Sequence, residues 1–587
     1  MKGGPAPAPP HATACAALEA AADHPCGVTF VDLREREIRL SWSEVHSRGR
    51  RAAGVLRSLG IRPGDRVAIV LRTEAAFLDA FFGSLLAGAV PVPLYPPVRL
   101  GRMEEYLAAT ARMVVTAGAR LVVAGGVARR LIGEALARSR PELGCLPAEA
   151  LLSGPEVASP GSSGEDLALV QFSSGSTVDP KPVALTHASL MAQVGALMAV
   201  VRPTPRDCMV SWLPLYHDMG LIGCLLGALS HPGPLVLIPP EHFLARPALW
   251  LRTIGRHRGT ISAGPHFAYA YAAARVRDED LAGVDLSCWR IAMDGAEPVT
   301  AGALRRFAQR FAPFGFDPAS LVPCYGLAEA ALAVTVAPRG APLTERVDPV
   351  RLATGGEVVP GEREIVSVGP PVPGVELEIR DERGQPLPDR RLGRVHVRGP
   401  SLMQGYLGDE AATLRVLRGG WLDTGDLGFT ARGALFVHGR AKDAVVIRGA
   451  NRAPDEFEAC LEGIAGLRPG CAVAAGFVPD GSDQEELLLL VERARAAGPP
   501  AVEAPRLAEM VRRAVLERTG VRAWKVELLA PGTLPRTSSG KMRRGEALRR
   551  FLAGTLLPPR RVTGLGLVRE LARSALAQAR AGRRPAP

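Results

Sequence analysis

The groups with the most chemical capacity in this chain are a few lysines, acids and hydroxyls set in short glycine-containing turns. Ser173-Ser174-Gly175-Ser176-Thr177 is followed by Pro180-Lys181. Hydroxyls, backbone N–H groups and one ammonium packed into a strand-flanked turn suit the oxygens of a polyphosphate, and glycine permits close approach. The turn lacks the GxxxxGK[ST] spacing of a Walker A loop. A second ammonium, Lys541, stands in Ser-Ser-Gly-Lys near the C-terminus. The chain has only five lysines among its 71 basic residues: Lys2, Lys181, Lys442, Lys525 and Lys541. Arginine is a delocalised fork and lysine a compact point charge on a flexible stem, so each lysine here is worth inspecting. Asp426, an acceptor-only carboxylate when ionised, sits in a Thr-Gly-Asp turn. Tyr325 offers an aromatic face beside Gly326.

Bringing these scattered groups together requires layered structure. At 587 residues the chain exceeds one compact unit and predicts roughly two to four domains. Apolar residues make up 47% and charged residues 22%, which excludes a largely disordered chain. Apolar strand signals at 62–71, 90–95, 119–126, 234–240, 290–296 and 321–326 alternate with amphipathic helical stretches such as 75–89. That alternation predicts an α/β fold of layered, largely parallel sheets. Residues 1–12 read as a flexible leader, and the stretch from Thr13 to Gly60 reads as helical with a polar face. A large N-terminal domain is expected over 13–438, with an antiparallel β hairpin subdomain at 366–438 marked by alternation around Pro/Gly turns. A small α+β domain follows over 444–554, and a basic Pro/Arg/Ala-rich tail over 555–587. Residues 567–582 of that tail could form one basic helix, read as a solvated appendage in preference to a docking element.

The formal charge of +12 comes without a clustered stripe or a nucleic-acid module, so nucleic acid is not an expected partner. An acidic protein surface or an anionic substrate suits it better. Nine cysteines stand singly, with no metal spacing, which points to reduced thiols and a cytoplasmic setting. The N-terminus lacks the apolar core of a signal peptide. The longest apolar run, Met219–Ser230, is short and broken by glycines, so no stable membrane insertion is expected.

Six further motifs follow the 173–181 turn in order: WLPLYHDMGLIG (212–223), DGAEPV (294–299), YGLAEA (325–330), WLDTGDLG (421–428), GRAKD (439–443) and PRTSSGKMRR (535–544). Together they resemble the adenylate-forming superfamily over about residues 25–550. The resemblance implies ATP and Mg²⁺ as cofactors. It places Tyr325 against the adenine, with Gly295, Ala296, Glu297 and Pro298 along the other side and Gly326 beside it. Ser173, Ser174, Gly175, Ser176, Thr177 and Lys181 would hold phosphates. Asp426 would take the ribose hydroxyls, with Arg440 on ribose or phosphate. Glu329 and Thr177 would contact Mg²⁺, as hard oxygen ligands should. Lys541 would bridge the substrate carboxylate and the α-phosphate, offsetting the repulsion between two anions. His217 would lie near that carboxylate, and no role follows for Asp218. His266 and Phe267 would wall the acyl pocket. Lys442, within 439–443, would mark a hinge on which the small mobile domain rotates between adenylation and transfer poses.

The His-Asp-Met-Gly motif, the Gly-Ala-Glu-Pro segment and the extra segment at 345–369 resemble the fatty acyl-AMP ligase branch. That branch passes the acyl group to the phosphopantetheine thiol of an acyl carrier protein and uses coenzyme A poorly. The carrier is expected to be a separate protein or carrier domain, since no Asp-Ser attachment motif follows residue 555. An acyl-CoA synthetase is the first alternative, and a catalytically silent binding protein of the same fold the second. Val178, Pro182, His266 and Asp294 depart from the pattern; Pro182 removes an N–H beside the phosphate turn.

Overall fold

The computed structural model describes residues 1–97, 100–173, 180–447, 450–479, 484–494, 503–537, 540–559 and 569–577. The apolar runs become buried parallel strands because both of their faces are covered. Arg66–Val70, Val90–Leu94, Ala119–Ala124 and Cys145–Pro147 form one four-stranded parallel sheet. Met209–Ser211, Leu235–Leu237, Ile261–Pro265, Ile291–Gly295 and Leu321–Gly326 run parallel in an eight-stranded sheet that also contains Gly27–Val31. Its two edge strands, Glu37–Ser41 and Ala333–Val336, are antiparallel. Short helices such as Ala75–Leu86 and Ala301–Phe311 cover the sheets, and one large core joins them.

The α/β architecture matches the expectation, with three differences near the ends. The stretch 13–60 is not continuous helix: Gly27–Val31 and Glu37–Ser41 form a hairpin between the helices Ala14–Ala22 and Trp42–Ser58. The strands are five residues each, too short for a period to stand out, and the outer one is mostly exposed. Residues 1–12, expected as a flexible leader, carry backbone bonds to the β subdomain. The Met1 amino group donates to the Leu377 carbonyl, and the Gly3 N–H to that of Val375.

The β subdomain is an antiparallel sheet of Glu376–Arg380, Gly393–Arg398, Trp421–Ala431 and Ala434–Arg440, with Leu417–Arg418 at its edge. The 345–369 segment folds against it. The strands Thr344–Val347 and Arg363–Val366 pair and flank the helix Pro349–Gly355. Val347, Leu352, Val358 and Ile365 pack on the stacked rings of Phe429 and Phe436, so the segment has a core of its own.

The small domain holds the sheet Leu467–Phe477, Glu486–Arg493, Lys525–Leu529 and the helices Ala504–Thr519 and Arg544–Leu552. It lies closed on the large domain. Arg550 pairs with Glu105 at 2.8 Å, and Arg363 with Asp455 at 3.0 Å. Residues 569–577 of the tail are helical and docked, not a solvated appendage. Ser574 is 2% exposed, its hydroxyl accepts the Gly133 N–H at 2.8 Å, and Leu571 joins an apolar cluster. Arg573 adds an ion pair to Glu134 at 3.3 Å, and the basic composition hid the docking because the buried part of the contact is small.

Candidate active site

The carboxyl ends of the parallel strands converge on one cavity of about 380 Å³, the usual ligand position in such sheets. Ile291–Gly295 delivers Gly295 and Ala296. A Cβ at Gly295 would stand 2.6 Å from the Cys324 sulfur and 2.7 Å from its carbonyl, so only glycine fits between the strands. Ala296 follows with φ +65, a left-handed backbone that is costly for a residue with a side chain. Leu321–Gly326 delivers Tyr325 and Gly326, and a Cβ at Gly326 would collide with the Leu332 carbonyl at 1.8 Å. Ala296, Tyr325 and Gly326 line the cavity. Gly295 supports them from behind, and neither Glu297 nor the exposed Pro298 is part of the wall.

Asp426 stands beside Tyr325, next to the lining residues Thr424 and Gly425. Its strand carries a bulge at Leu427/Gly428, and Gly425 ahead of it has φ +76, so the chain turns sharply at Thr-Gly-Asp. The Tyr325 hydroxyl donates to Asp426 Oδ2 at 2.6 Å, and Arg440 Nε stands 3.5 Å from Oδ1. Burial pushes the Asp426 carboxyl above its ordinary pKa, opposed by Arg440 and by the Tyr325 hydrogen bond. Arg440 and the neighbouring Thr424 reach the cavity.

Glu329 sits in the short 3₁₀ turn Ala328–Ala330 on the same wall. The Tyr406 hydroxyl donates to its Oε1 at 2.9 Å, and the Lys181 ammonium lies 4.3 Å from the centre of the Tyr406 ring. Ser173 and Lys181 close the base of the phosphate turn: the Ser173 N–H donates to the Lys181 carbonyl, and the Lys181 N–H to the Ser173 hydroxyl. Ser174, Gly175, Ser176 and Thr177, with Val178, lie outside the described residues. Pro182 is the first residue of the strand Pro182–Thr186, a position where a missing N–H is tolerated. Glu329 fits a Mg²⁺ held by one carboxylate plus phosphate oxygens. Among the described residues no group of three or more His, Cys, Asp or Glu side chains is arranged to hold a metal.

Lys541 reaches this cavity from the small domain. Its loop is tied by the Thr537 N–H to the Lys541 carbonyl and by the Lys541 N–H to the Thr537 hydroxyl. A Cβ on the adjacent Gly540 would stand 3.3 Å from the Phe267 ring, so the loop rests on the large domain. Burial draws the Lys541 ammonium below its ordinary pKa, and the carboxylates of Asp218 and Glu297 oppose that shift. Lys442 lies exposed at the edge of the same cavity.

His217 and Asp218 form a pair that sequence reasoning resolved only by half. Asp218 Oδ1 stands 2.6 Å from His217 Nδ1 and accepts the Met219 N–H at 2.7 Å. Burial disfavours the Asp218 carboxylate, but His217 and Lys541 outweigh it and hold the group below its ordinary pKa. An ionised carboxylate there keeps the proton on Nδ1 and leaves Nε2 as the uncommitted ring nitrogen. Nε2 is buried without a protein partner, and both residues line the cavity wall. Asp218 is therefore the orienting partner of His217. Adjacency in the motif was the one available signal for it; nothing in the spacing singled out Tyr406.

The cavity continues from this polar end into an apolar bore. Its wall comes from Leu197, Met198, Gly223, Gly227, Ile261 and Met293, among others. Residues Met219–Leu226 are π-helical, a widened turn common at functional sites. His266 and Phe267, expected as pocket walls, are not among the lining residues. His266 Nδ1 bonds Asp294 at 2.7 Å, and its Nε2 faces the Thr300 hydroxyl at 2.9 Å, so the imidazole is consumed in bracing two strand ends. The Phe267 ring packs edge-on against Trp212 and under Gly540.

The AMP-binding enzyme family profile matches residues 18–407. The chain is 37% identical over 555 residues to a putative acyl-CoA synthetase of Caulobacter vibrioides, covering 92% of this chain and 95% of that one. It is 31% identical to the medium-chain-fatty-acid–[acyl-carrier-protein] ligase JamA of Moorena producens, covering 90% and 92%. Among solved structures, one from a study of fatty acyl-adenylate ligases of E. coli and L. pneumophila superposes with a TM-score of 0.87 at 36% identity, covering 93% of this chain and 98% of that one.

Proposed function

The chain belongs to the AMP-binding enzyme family, in its fatty acyl-adenylate ligase branch, and on that premise we propose that it activates a medium- or long-chain fatty acid with ATP and hands the acyl group to a carrier-protein thiol. The observation that carries this reading is the single cavity that joins Lys541, Glu329, Tyr325 and the apolar bore. The fatty carboxylate attacks the α-phosphorus, a P–O bond forms, and the bond to pyrophosphate breaks. The nucleophile is already an anion, so the protein's task is positioning and charge stabilisation.

The Lys541 ammonium lies between carboxylate and α-phosphate and offsets their repulsion. His217, oriented by Asp218, directs Nε2 at the carboxyl end of the acid. Tyr325, held by Asp426, lies against the adenine, and Asp426 and Arg440 meet the ribose. Lys181 and the 173–177 turn take the β- and γ-phosphates. Mg²⁺ at Glu329 neutralises phosphate charge when bound. Residues 439–443 are the hinge for the small domain, with the transfer step following its rotation.

A separate acyl carrier protein as acceptor is supported by the likeness to JamA and by the folded 345–369 segment, whose helix packs on Ala450–Arg452 of the small domain. A cytoplasmic setting agrees with nine free cysteines. Among the described residues no helix is long and apolar enough to cross a membrane. The likeness to a putative acyl-CoA synthetase keeps coenzyme A as the second reading. Mass spectrometry of the enzyme with ATP and laurate, with either coenzyme A or a phosphopantetheinylated carrier, separates them. Lauroyl-AMP and acylated carrier are expected; abundant lauroyl-CoA contradicts the carrier assignment.

A further inference from the structure

The bore has a second end whose chemistry differs from its walls. Met209–Ser211, Ile261–Pro265 and Ile291–Gly295 run parallel, and the adenylate-forming groups stand at their carboxyl ends. The cavity extends back along these strands past Ala263 and Met293 to Ile261 and Met209 at their amino ends. Five residues of strand span about 16 Å. Beyond Met209 the wall is made by Pro203, Asp207, His231, Gly233 and Pro234. These belong to two surface loops: Arg202, Thr204, Pro205 and Arg206 are exposed, and residues 231–234 are half-buried.

We propose that the bore opens between these loops through a second mouth, where His231 receives the terminal hydroxyl of an ω-hydroxy fatty acid; this rests on the fatty-acid reading above. Asp207 cannot serve that purpose. Its carboxylate accepts from Arg290 at 2.7 and 2.9 Å, from the Thr260 hydroxyl at 2.6 Å, and from the Thr204 N–H at 2.7 Å and hydroxyl at 3.0 Å. The His231 imidazole makes no hydrogen bond or ion pair with any described residue, and His231 is one of the residues that line this end of the cavity. A neutral imidazole offers one donor and one acceptor, the same complement as a hydroxyl. Anywhere else along the bore a hydroxyl would be stripped of water without a partner, which is costly. Selectivity therefore depends on chain length: the hydroxyl is tolerated only where it reaches the mouth.

The test is ATP–pyrophosphate exchange by the full chain with matched pairs of unsubstituted and ω-hydroxy acids, from octanoate to octadecanoate. The ratio of kcat/KM for hydroxy over parent acid is expected below one for short chains and above one at the length that reaches His231. Longer unsubstituted acids remain substrates. His231→Leu should lower the ratio at that length by about three- to tenfold, the scale of one hydrogen bond, and leave the parent acids unchanged. His231→Gln, which keeps a donor and an acceptor, should retain part of the preference. A ratio below one at every length, or one that His231→Leu leaves unmoved, overturns the assignment. An abrupt length limit for unsubstituted acids overturns the second mouth. Exchange with no acid of either kind removes the fatty-acid reading itself, and the inference with it.

Discussion

The two ends of the cavity are built by opposite means. The polar end is made of groups that act by direction: the Tyr325 hydroxyl on Asp426, the Tyr406 hydroxyl on Glu329, the Asp218 carboxylate on His217. The bore is made by what is missing. Gly223 and Gly227 withhold side chains, and a Cβ at Gly227 would stand 3.6 Å from the terminal methyl of Met198 across the space. One end therefore sets rate and the other sets which acid fits. Substitutions in the two should have separable effects, and the following experiments sharpen or break that division.

The largest effect is expected at Lys541. Lys541→Ala should lower adenylation by about 10²–10³ in kcat, with little change in chain-length preference. A changed preference would break the division. Asp218→Ala comes next. Removing a charge-assisted hydrogen bond leaves a buried imidazole without its orienting partner and should cost about 10- to 100-fold in kcat/KM for every acid tested alike. Gly227→Leu should narrow the bore with the opposite signature. Long acids should lose roughly tenfold or more in kcat/KM while the shortest substrate keeps its kcat. If kcat falls equally for short acids, the bore and the polar end are not separable.

The pH dependence follows from Lys541. The ammonium is the working form, and burial lowers its pKa from 10.5. Activity should therefore fall with rising pH before an ordinary lysine would deprotonate, and Lys541→Arg should remove that basic limb while lowering the maximum. The smallest effect is expected at Arg363, which ties the 345–369 segment to Asp455 and Glu456 of the small domain. Its loss should change adenylation less than about fivefold, as partly exposed ion pairs usually do. Stopped-flow pyrophosphate release would read it.

The same contrast explains what the sequence discloses. Polar motifs announce themselves because directional chemistry restricts residue type. Lys541, Glu329, Tyr325, Lys181 and Arg440 meet in one cavity although they are spread over some 360 residues of chain. Parallel strands such as Val90–Leu94 and Ile291–Gly295 show as apolar runs because both faces are buried. The bore left no such mark. His266 and Phe267 looked like walls from their place in a motif, yet His266 is committed to Asp294 and Thr300. The real wall is defined by small residues and methionines whose facing can be read only from coordinates. The 27–41 hairpin and the docked 569–577 helix escaped for a related reason. Each depends on a partner distant in sequence, Leu235–Leu237 and Gly133 respectively.

The central claim is that the Lys541 ammonium acts on the adenylation step alone. The direct measurement compares two half-reactions in Lys541→Ala: pyrophosphate exchange with laurate, and acyl transfer from supplied lauroyl-AMP to a phosphopantetheinylated carrier. The account predicts exchange reduced by about 10²–10³ with transfer within a few-fold of the parent enzyme. Equal loss in both half-reactions, or exchange at the parent rate, would contradict it.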